Sequence, residues 1–271
     1  MNTFREAVQG DGFAISAELT VGQESSADDV RRQANDLTDL VDGIQVTDNP
    51  YAWVQMSALA ASAILVDEGH DPVPILTCRD RNRVALRGDL VGLQALGVKN
   101  VMLMRGHRVP KDHAVPASTV FDLTGHELIE LAASLEGDLF IGTGARLFRP
   151  GPNWQAESLS RRSAAGARFL QTQFCFNMEI INRYMKRFLA LGLDRHYSIM
   201  VSLTPLPSAE TARWVKKHLS DSRIPAGVIQ RLEDASDPEQ EGIAICAELM
   251  QQISETQGVA GVNLMTTGDP A

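Results

Sequence analysis

The sequence predicts an α/β protein of the (β/α)8 class, a TIM barrel, folded as a single domain over residues 1–271. The length of 271 residues is close to the roughly 250 residues of one such barrel. Eight short apolar segments alternate with longer helical patterns, as expected for parallel strands joined by helices. No internal repeat, low-complexity tract or Pro/Gly-rich linker divides the chain.

Each predicted strand is a short run of apolar or β-branched residues. These runs are residues 13–20, 43–47, 73–78, 100–104, 138–143, 168–172, 197–203 and 260–265. The predicted helices are residues 26–40, 51–66, 81–96, 125–135, 155–165, 178–191, 209–219 and 238–256. Ser26 is the predicted N-cap of the first of these helices, because Asp28 and Asp29 follow in its first turn.

The segment TTGDPA after the last predicted strand is too short for the eighth outer helix of a complete barrel. We therefore expect this final helix to be missing. A loop, the N-terminal segment or a second subunit would then cover the wall beside the last and first strands, and the third option would make the protein a homo-oligomer.

A doubly wound open sheet is the main alternative fold, because it shows the same alternation of strands and helices. Its dinucleotide-binding form carries a G-x-G-x-x-G loop after the first strand. The first predicted strand is not followed by such a loop, which favours the barrel.

Composition excludes several classes of function. The net charge of −9 argues against nucleic-acid binding, which requires a basic surface. Neither the three cysteines nor the six histidines have the spacing of a metal site, and the cysteines do not form a disulfide framework. There is no signal-peptide pattern and no apolar run near the roughly 18 residues of a membrane span. We expect a cytoplasmic protein without metal, nucleic-acid or membrane partners.

The C-terminal ends of the predicted strands are polar, and barrel enzymes carry their active sites there. The polar residues at these ends include Glu18, Thr47, Asp48, Asn49, Thr77, Arg105, His107, Thr143, Gln173, Ser202, Asn263 and Thr266. Strand ends are also polar simply because they meet water, so a single Thr or Ser there indicates little about function.

Glu18 is the strongest catalytic candidate. It lies within an apolar strand of small residues, where a carboxylate is costly unless it has a partner or a function. The amide of Gln173 could recognise the edge of a heterocycle through paired donor and acceptor bonds, or it could tie down a neighbouring loop.

An excess of arginine between residues 146 and 168 suggests a phosphate or polycarboxylate site, with a solvated helix surface as the alternative. The arginines are Arg146, Arg149, Arg161, Arg162 and Arg168, opposed only by Glu157.

Short motifs in a specific order carry a family resemblance. They are Ala17-Glu18, Gln45-Val46-Thr47, Leu76-Thr77-Cys78, Arg105-Gly106, Ala165-Gly166-Ala167 leading into Thr172-Gln173-Phe174, and Arg223-Ile224-Pro225-Ala226. With these motifs the chain resembles the methylenetetrahydrofolate reductase family over essentially its whole length.

The resemblance implies a barrel that binds FAD at the strand ends and takes hydride from NAD(P)H. The family interconverts 5,10-methylenetetrahydrofolate and 5-methyltetrahydrofolate, a step of one-carbon metabolism towards methionine. Glu18 would be the general acid, protonating the folate nitrogen that leaves when the methylene bridge opens. The substrate contacts would be Gln173, Thr47 and Asn263. The cofactor contacts would be Thr47, Thr77, Arg105, Gly106, His107, Arg149 and Arg162.

The chain departs from the family mainly at flavin-contacting positions. Ile75 replaces a histidine, His107 an aspartate, Ala145 an aromatic residue, Ser158 an asparagine and Asp269 an arginine. These departures leave two alternatives open. One is a flavin-free reductase with direct hydride transfer from a nicotinamide. The other is a non-catalytic barrel that binds folate or another pterin and is associated with methyl transfer. An unrelated barrel lyase is disfavoured, because no lysine or metal ligand lies at the strand ends.

Leu86-Arg87-Gly88-Asp89 also matches a family string in its letters. It lies too soon after Cys78 to end a strand, so we expect it within a helix and assign the family position to Arg105-Gly106-His107.

Overall fold

A computed structural model of the chain describes residues 3–110 and 117–266. Eight parallel strands close into a barrel in chain order, with β8 pairing with β1. The strands are β1 (Ala14–Glu18), β2 (Gly43–Val46), β3 (Pro72–Thr77), β4 (Asn100–Met104), β5 (Phe140–Ala145), β6 (Phe169–Phe174), β7 (Ser198–Leu203) and β8 (Val259–Leu264). The predicted TIM barrel is confirmed, and the open sheet is excluded by the closure.

Helices form the outer layer between successive strands, except the first helix, which precedes β1. They are α1 (Phe4–Gln9), α2 (Ala27–Leu37), α3 (Ala58–Asp67), α4 (Arg83–Ala95), α5 (Gly125–Ala133), α6 (Glu157–Ala165), α7 (Met178–Ala190), α8 (Ala209–His218), α9 (Ala226–Asp234) and α10 (Pro238–Ser254). Ser26 caps α2 as predicted, in a reciprocal capping box with Asp29. The strand β8 is followed by only two described residues, so the expected absence of a final outer helix stays a prediction.

Two parts of the outer layer differ from the prediction. The predicted helix 51–66 begins only at Ala58, capped by Ser57, because residues 50–57 form an irregular turn after β2. The short helices α1 and α9 carry no long apolar period, and the sequence did not indicate them.

Helix α1 closes the N-terminal end of the barrel. Phe4 is fully buried, and its ring meets the rings of Phe140 and Phe169 at centroid distances of 6.3 and 5.5 Å. A Cβ on Gly43 would lie 2.5 Å from the Phe4 ring, so a glycine is needed there. The N-terminal segment therefore closes the bottom of the barrel, while α10 packs against β7 and β8 from outside.

The barrel interior changes from apolar to polar towards the C-terminal ends of the strands. The lower part is filled by apolar side chains, namely Val73, Ile75, Met102, Phe140, Phe169 and Met200. Above them Ser16 donates to Asn263 Oδ1 at 2.7 Å, and the Gln45 amide donates to Gln171 Oε1 at 2.6 Å. These side chains are almost completely buried and form a polar layer beneath the barrel mouth.

In the part of the chain that the structure describes, none of the helices has the length and apolar character required to cross a membrane.

Candidate active site at the barrel mouth

Glu18 ends β1 at the barrel mouth and is only 9% exposed. The backbone N–H of Thr266 donates to Glu18 Oε2 at 3.2 Å. The other oxygen, Oε1, is buried and has no hydrogen-bond partner among the described residues. Burial raises the pKa of Glu18 from 4.5 to about 7, and hydrogen bonding to Thr266 opposes this rise only in part. Glu18 is therefore a carboxyl group that can hold or release a proton near neutral pH.

The ends of β2 and β3 are joined by the carboxylate of Asp48. It accepts hydrogen bonds from the Thr77 backbone N–H at 2.7 Å and the Thr77 hydroxyl at 2.8 Å, and it pairs with Arg81. Thr47 donates to Gln55 Oε1 at 3.0 Å. The hydroxyls of both predicted threonines are therefore bound within the protein, and their proposed ligand contacts stay predictions.

The side chain of Gln173 ties two loops to β6. Its Nε2 donates to the carbonyls of Leu147 and Asp221 at 3.1 and 3.2 Å, while Oε1 accepts from the Leu147 N–H at 2.9 Å. This is the loop-anchoring alternative that the sequence left open. Both amide hydrogens of Gln173 are already donated within the protein. The second lone pair of Oε1 is therefore the group that could still accept a hydrogen bond from a ligand.

Asn263 lies beneath Glu18 in the polar layer rather than at the open mouth. It is fully buried and pairs in register with Ser16, two residues before Glu18 on β1. Its Nδ2 has no partner among the described residues. Asn263 thus lies in the floor of the site, and its predicted contact with substrate stays a prediction.

A cleft of about 650 Å³ opens beside the mouth, between the ends of β4 and β5 and the helices α5 and α6. Its lining unites four residues that were predicted separately as cofactor contacts, namely Arg105, Gly106, His107 and Arg162. The cleft is also lined by Arg161, His126, Thr143, Gly144 and Ser158. None of the described residues that line it is acidic. In a protein with a net charge of −9, this is a locally positive surface suited to an anionic ligand.

Arg162 and Gly106 shape the wall of this cleft. Arg162 Nη1 donates to the Gly144 carbonyl at 2.5 Å and to the Thr143 hydroxyl at 3.3 Å, and burial lowers its pKa. Gly106 has φ +79°, and a Cβ there would lie 3.0 Å from Thr77 Cβ. Only glycine fits this point without strain, and the backbone stays accessible to a ligand.

The arginine-rich segment does not act as one site. Arg149 pairs with Glu179 at 2.9 Å and Arg146 with Asp221 at 2.6 Å, both on the exposed surface. Arg168 donates to the backbone carbonyls of Ser163 and Ala167. Only Arg161 and Arg162 reach the cleft, so the structure does not bring Arg149 together with the other predicted cofactor contacts.

The positions that depart from the family pattern lie in different parts of the barrel. His107 and Ser158 line the cleft, whereas Ile75 belongs to the apolar layer inside the barrel. Ala145 ends β5, and Asp269 lies outside the described residues. Asp89 is on α4 and pairs with Arg81 at 2.9 Å, so the Leu86–Asp89 string is helical as predicted.

The turn after β2, which carries Tyr51 and Trp53, is absent from the predicted elements. The sequence predicts a helix there, because an Ala-rich stretch follows. The tripeptide Asp48-Asn49-Pro50 is a turn signal that could have revealed it. No group of metal-ligating side chains occurs in residues 3–110 and 117–266, where Cys78, Cys175 and Cys246 are buried free thiols.

Comparison with known proteins gives a family and a fold. No curated protein sequence matches the chain significantly. An uncharacterized protein from Clostridium thermocellum that binds two copies of 5-methyl-5,6,7,8-tetrahydrofolic acid superposes with a TM-score of 0.64 at 13% identity, covering 97% of this chain and 92% of the other. Phosphoenolpyruvate phosphomutase from Streptomyces platensis subsp. rosaceus superposes with a TM-score of 0.50 at 15% identity, covering 96% and 78%. At such identities these likenesses show the fold alone.

The sequence model of one family spans nearly the whole chain. It is described as methylenetetrahydrofolate reductase and matches residues 3–269. The match includes every strand of the barrel, the mouth with Glu18 and the positively charged cleft. The protein therefore belongs to the methylenetetrahydrofolate reductase family.

Proposed function

We propose that this protein is a folate oxidoreductase that interconverts 5,10-methylenetetrahydrofolate and 5-methyltetrahydrofolate by hydride transfer. The observation that carries the proposal is the buried carboxyl of Glu18 at the barrel mouth, with its pKa raised to about 7. Family membership supports the substrate class. The Clostridium thermocellum relative, which binds 5-methyltetrahydrofolic acid, supports it as well.

The reaction needs a proton donor at the place where Glu18 lies. Opening the methylene bridge breaks a carbon–nitrogen bond, and the leaving nitrogen must gain a proton. Protonated Glu18 supplies it, which leaves an iminium carbon that accepts the hydride. Glu18 is then a carboxylate and regains a proton from solvent. In the opposite direction the carboxylate accepts the proton as the bridge closes.

The mouth offers polar groups around Glu18 for the folate. The free acceptor lone pair of Gln173 Oε1 can receive an N–H of the pterin. Thr47 at the end of β2 would contact the same ligand, and Asn263 supports the floor beneath it.

The cleft would hold the phosphate-bearing end of FAD. Arg105 and Arg162 would hold the phosphates, and the backbone at Gly106, which lines the cleft, would lie beside them. His107 and Thr77 border this wall, and Arg149 would have to leave Glu179 to take part. When bound, FAD supplies a carrier for hydride between NAD(P)H and the folate. The nicotinamide donor, a cytoplasmic location and a homo-oligomer remain predictions from the sequence.

A flavin-free protein is the second candidate. It is favoured by His107 and Ser158 in the cleft lining, where the family pattern has an aspartate and an asparagine. Direct hydride transfer from a nicotinamide, or folate binding without turnover, would then replace the flavin reaction.

Two measurements test the proposal. The visible spectrum of the purified protein shows whether flavin is bound, and bleaching by 5-methyltetrahydrofolate shows whether folate reduces it. Turnover with NAD(P)H or an artificial donor should fall about 100-fold or more in Glu18→Gln. Glu24→Gln, which changes an exposed carboxylate in the loop after β1, is the matched control and should keep full activity. Unchanged turnover in Glu18→Gln would remove the proposed acid.

A further inference from the structure

We propose that Tyr51 is a substrate-positioning residue whose ring forms the wall against which the flat pterin stacks beside Glu18. This inference rests on the proposed folate function. It is carried by a strained turn, by the buried arginine that holds this turn, and by the place of the turn at the barrel mouth.

The turn after β2 has an unusual backbone. Asn49, Tyr51 and Ala52 have φ values of +47°, +55° and +67°. The left-handed region is unfavourable for residues with a side chain, above all for a bulky aromatic one. Backbone strain of this kind persists only where surrounding contacts enforce it, and it clusters at ligand-binding sites.

A buried arginine enforces the strained turn. Arg79 is only 2% exposed, and its Nη2 donates to the Asn49 carbonyl at 2.9 Å. The same guanidinium binds both oxygens of Asp80, at 2.6 and 2.5 Å. On the other side of the turn, the Gln55 N–H donates to Asn49 Oδ1 at 3.1 Å. The turn is therefore fixed at Asn49, directly before the residues that carry the aromatic rings.

The fixed turn places Tyr51 at the barrel mouth, after the strand that neighbours β1. It follows β2, which pairs directly with β1, and Glu18 is in register with Gln45. Burial raises the pKa of the Tyr51 phenol, and the charge of Glu18 adds to this rise. Tyr51 is partly exposed, and its ring lies 5.4 Å from the ring of Trp53, which is 38% exposed.

These features describe an aromatic surface that is held in place before a ligand arrives. A pterin is a flat heterocycle, and aromatic side chains bind such rings by stacking while excluding water. Because the turn is already fixed by Arg79, little conformational entropy is lost when the ligand binds. The ring of Tyr51 would hold the pterin at the height of Glu18, and the phenol oxygen is not required for this role.

The test measures dissociation constants by calorimetry for two ligands, 5-methyltetrahydrofolate and its p-aminobenzoylglutamate fragment, which lacks the pterin. Tyr51→Ala should weaken binding of 5-methyltetrahydrofolate about tenfold or more and leave the fragment unchanged. Tyr51→Phe should bind both ligands within about twofold of the wild type, because the ring is retained. Trp214→Ala on α8 is the control for loss of an aromatic ring away from the mouth.

Arg79→Lys tests whether the buried arginine acts through Tyr51. It should weaken 5-methyltetrahydrofolate binding, and the losses in the Arg79→Lys/Tyr51→Ala double variant should not multiply, because both changes remove the same stacking surface. Thermal melting of each variant shows whether it is folded at the assay temperature.

The outcomes separate this inference from the proposed function. Wild-type affinity in Tyr51→Ala, or equal losses for both ligands, would overturn the role of Tyr51 while wild-type folate turnover upholds the proposed function. A wild-type protein that binds no tetrahydrofolate would overturn both.

Discussion

Replacing Glu18 by glutamine should change how the stability of the protein depends on pH. The pKa of Glu18 is about 7 in the folded state, against an ordinary value of 4.5. The folded state therefore binds more protons than the unfolded state between these two values, and its free energy of unfolding falls as the pH rises through this window. Each unit of difference between the two pKa values corresponds to about 1.36 kcal/mol. The free energy of unfolding therefore falls by about 3 kcal/mol in total once Glu18 is fully ionised.

The assay is urea unfolding of the wild type and of Glu18→Gln at about pH 5 and about pH 8. Glutamine has nearly the same shape but does not ionise, so the difference between the two proteins isolates Glu18 from all other titrating groups. The two should agree within about 1 kcal/mol at pH 5, and the variant should be more stable by about 3 kcal/mol at pH 8. A difference that does not change with pH would refute the claim that burial raises the pKa of Glu18.

Two further predictions concern the scaffold. Gly106→Ala should destabilise the protein by roughly 1–2 kcal/mol because of its left-handed backbone and the close Thr77 side chain. Gly88→Ala, in open space on α4, should stabilise it by roughly 0.5–1 kcal/mol. Urea unfolding measures the free energy of unfolding of both variants. Equal changes in the two variants would contradict this reasoning. Phe4→Ala should cost about 3–5 kcal/mol, because the ring closes the barrel bottom, and should leave the folate dissociation constant unchanged. A cost below about 1 kcal/mol would contradict that role for α1.

The strands were predictable because each combines a local apolar run with a turn signal, and closure follows from their number and parallel order. Glu18 was predictable for a related reason, since a carboxylate within an apolar strand is costly wherever the strand lies. The cleft was predictable in part. Arg105-Gly106-His107 directly follows a strand, so its position at the barrel mouth could be predicted. The sequence could not show that Arg161 and Arg162, among the five arginines of this segment, are the ones that α6 directs into the cleft.

The remaining features depend on contacts between distant parts of the chain. Gln173 is held by loops that lie 26 and 48 residues away, so the sequence could not choose between a folate contact and a loop anchor. The turn at Asn49 adopts left-handed angles because Arg79, 30 residues later, binds its carbonyl. Helix α1 has only six residues and is positioned by the ring of Phe4 in the barrel end. Local propensity contains none of this information.

The most direct test of the account is the pKa of the Glu18 carboxyl itself. It can be measured by NMR titration of protein that contains isotope-labelled glutamate, with the signal assigned by its loss in Glu18→Gln. We expect a midpoint near pH 7, because burial raises the pKa of the carboxyl and the hydrogen bond from the Thr266 N–H offsets this rise only in part. A midpoint near the ordinary value of 4.5 would contradict it, since Glu18 would then be ionised at neutral pH and would have no proton to donate to the folate.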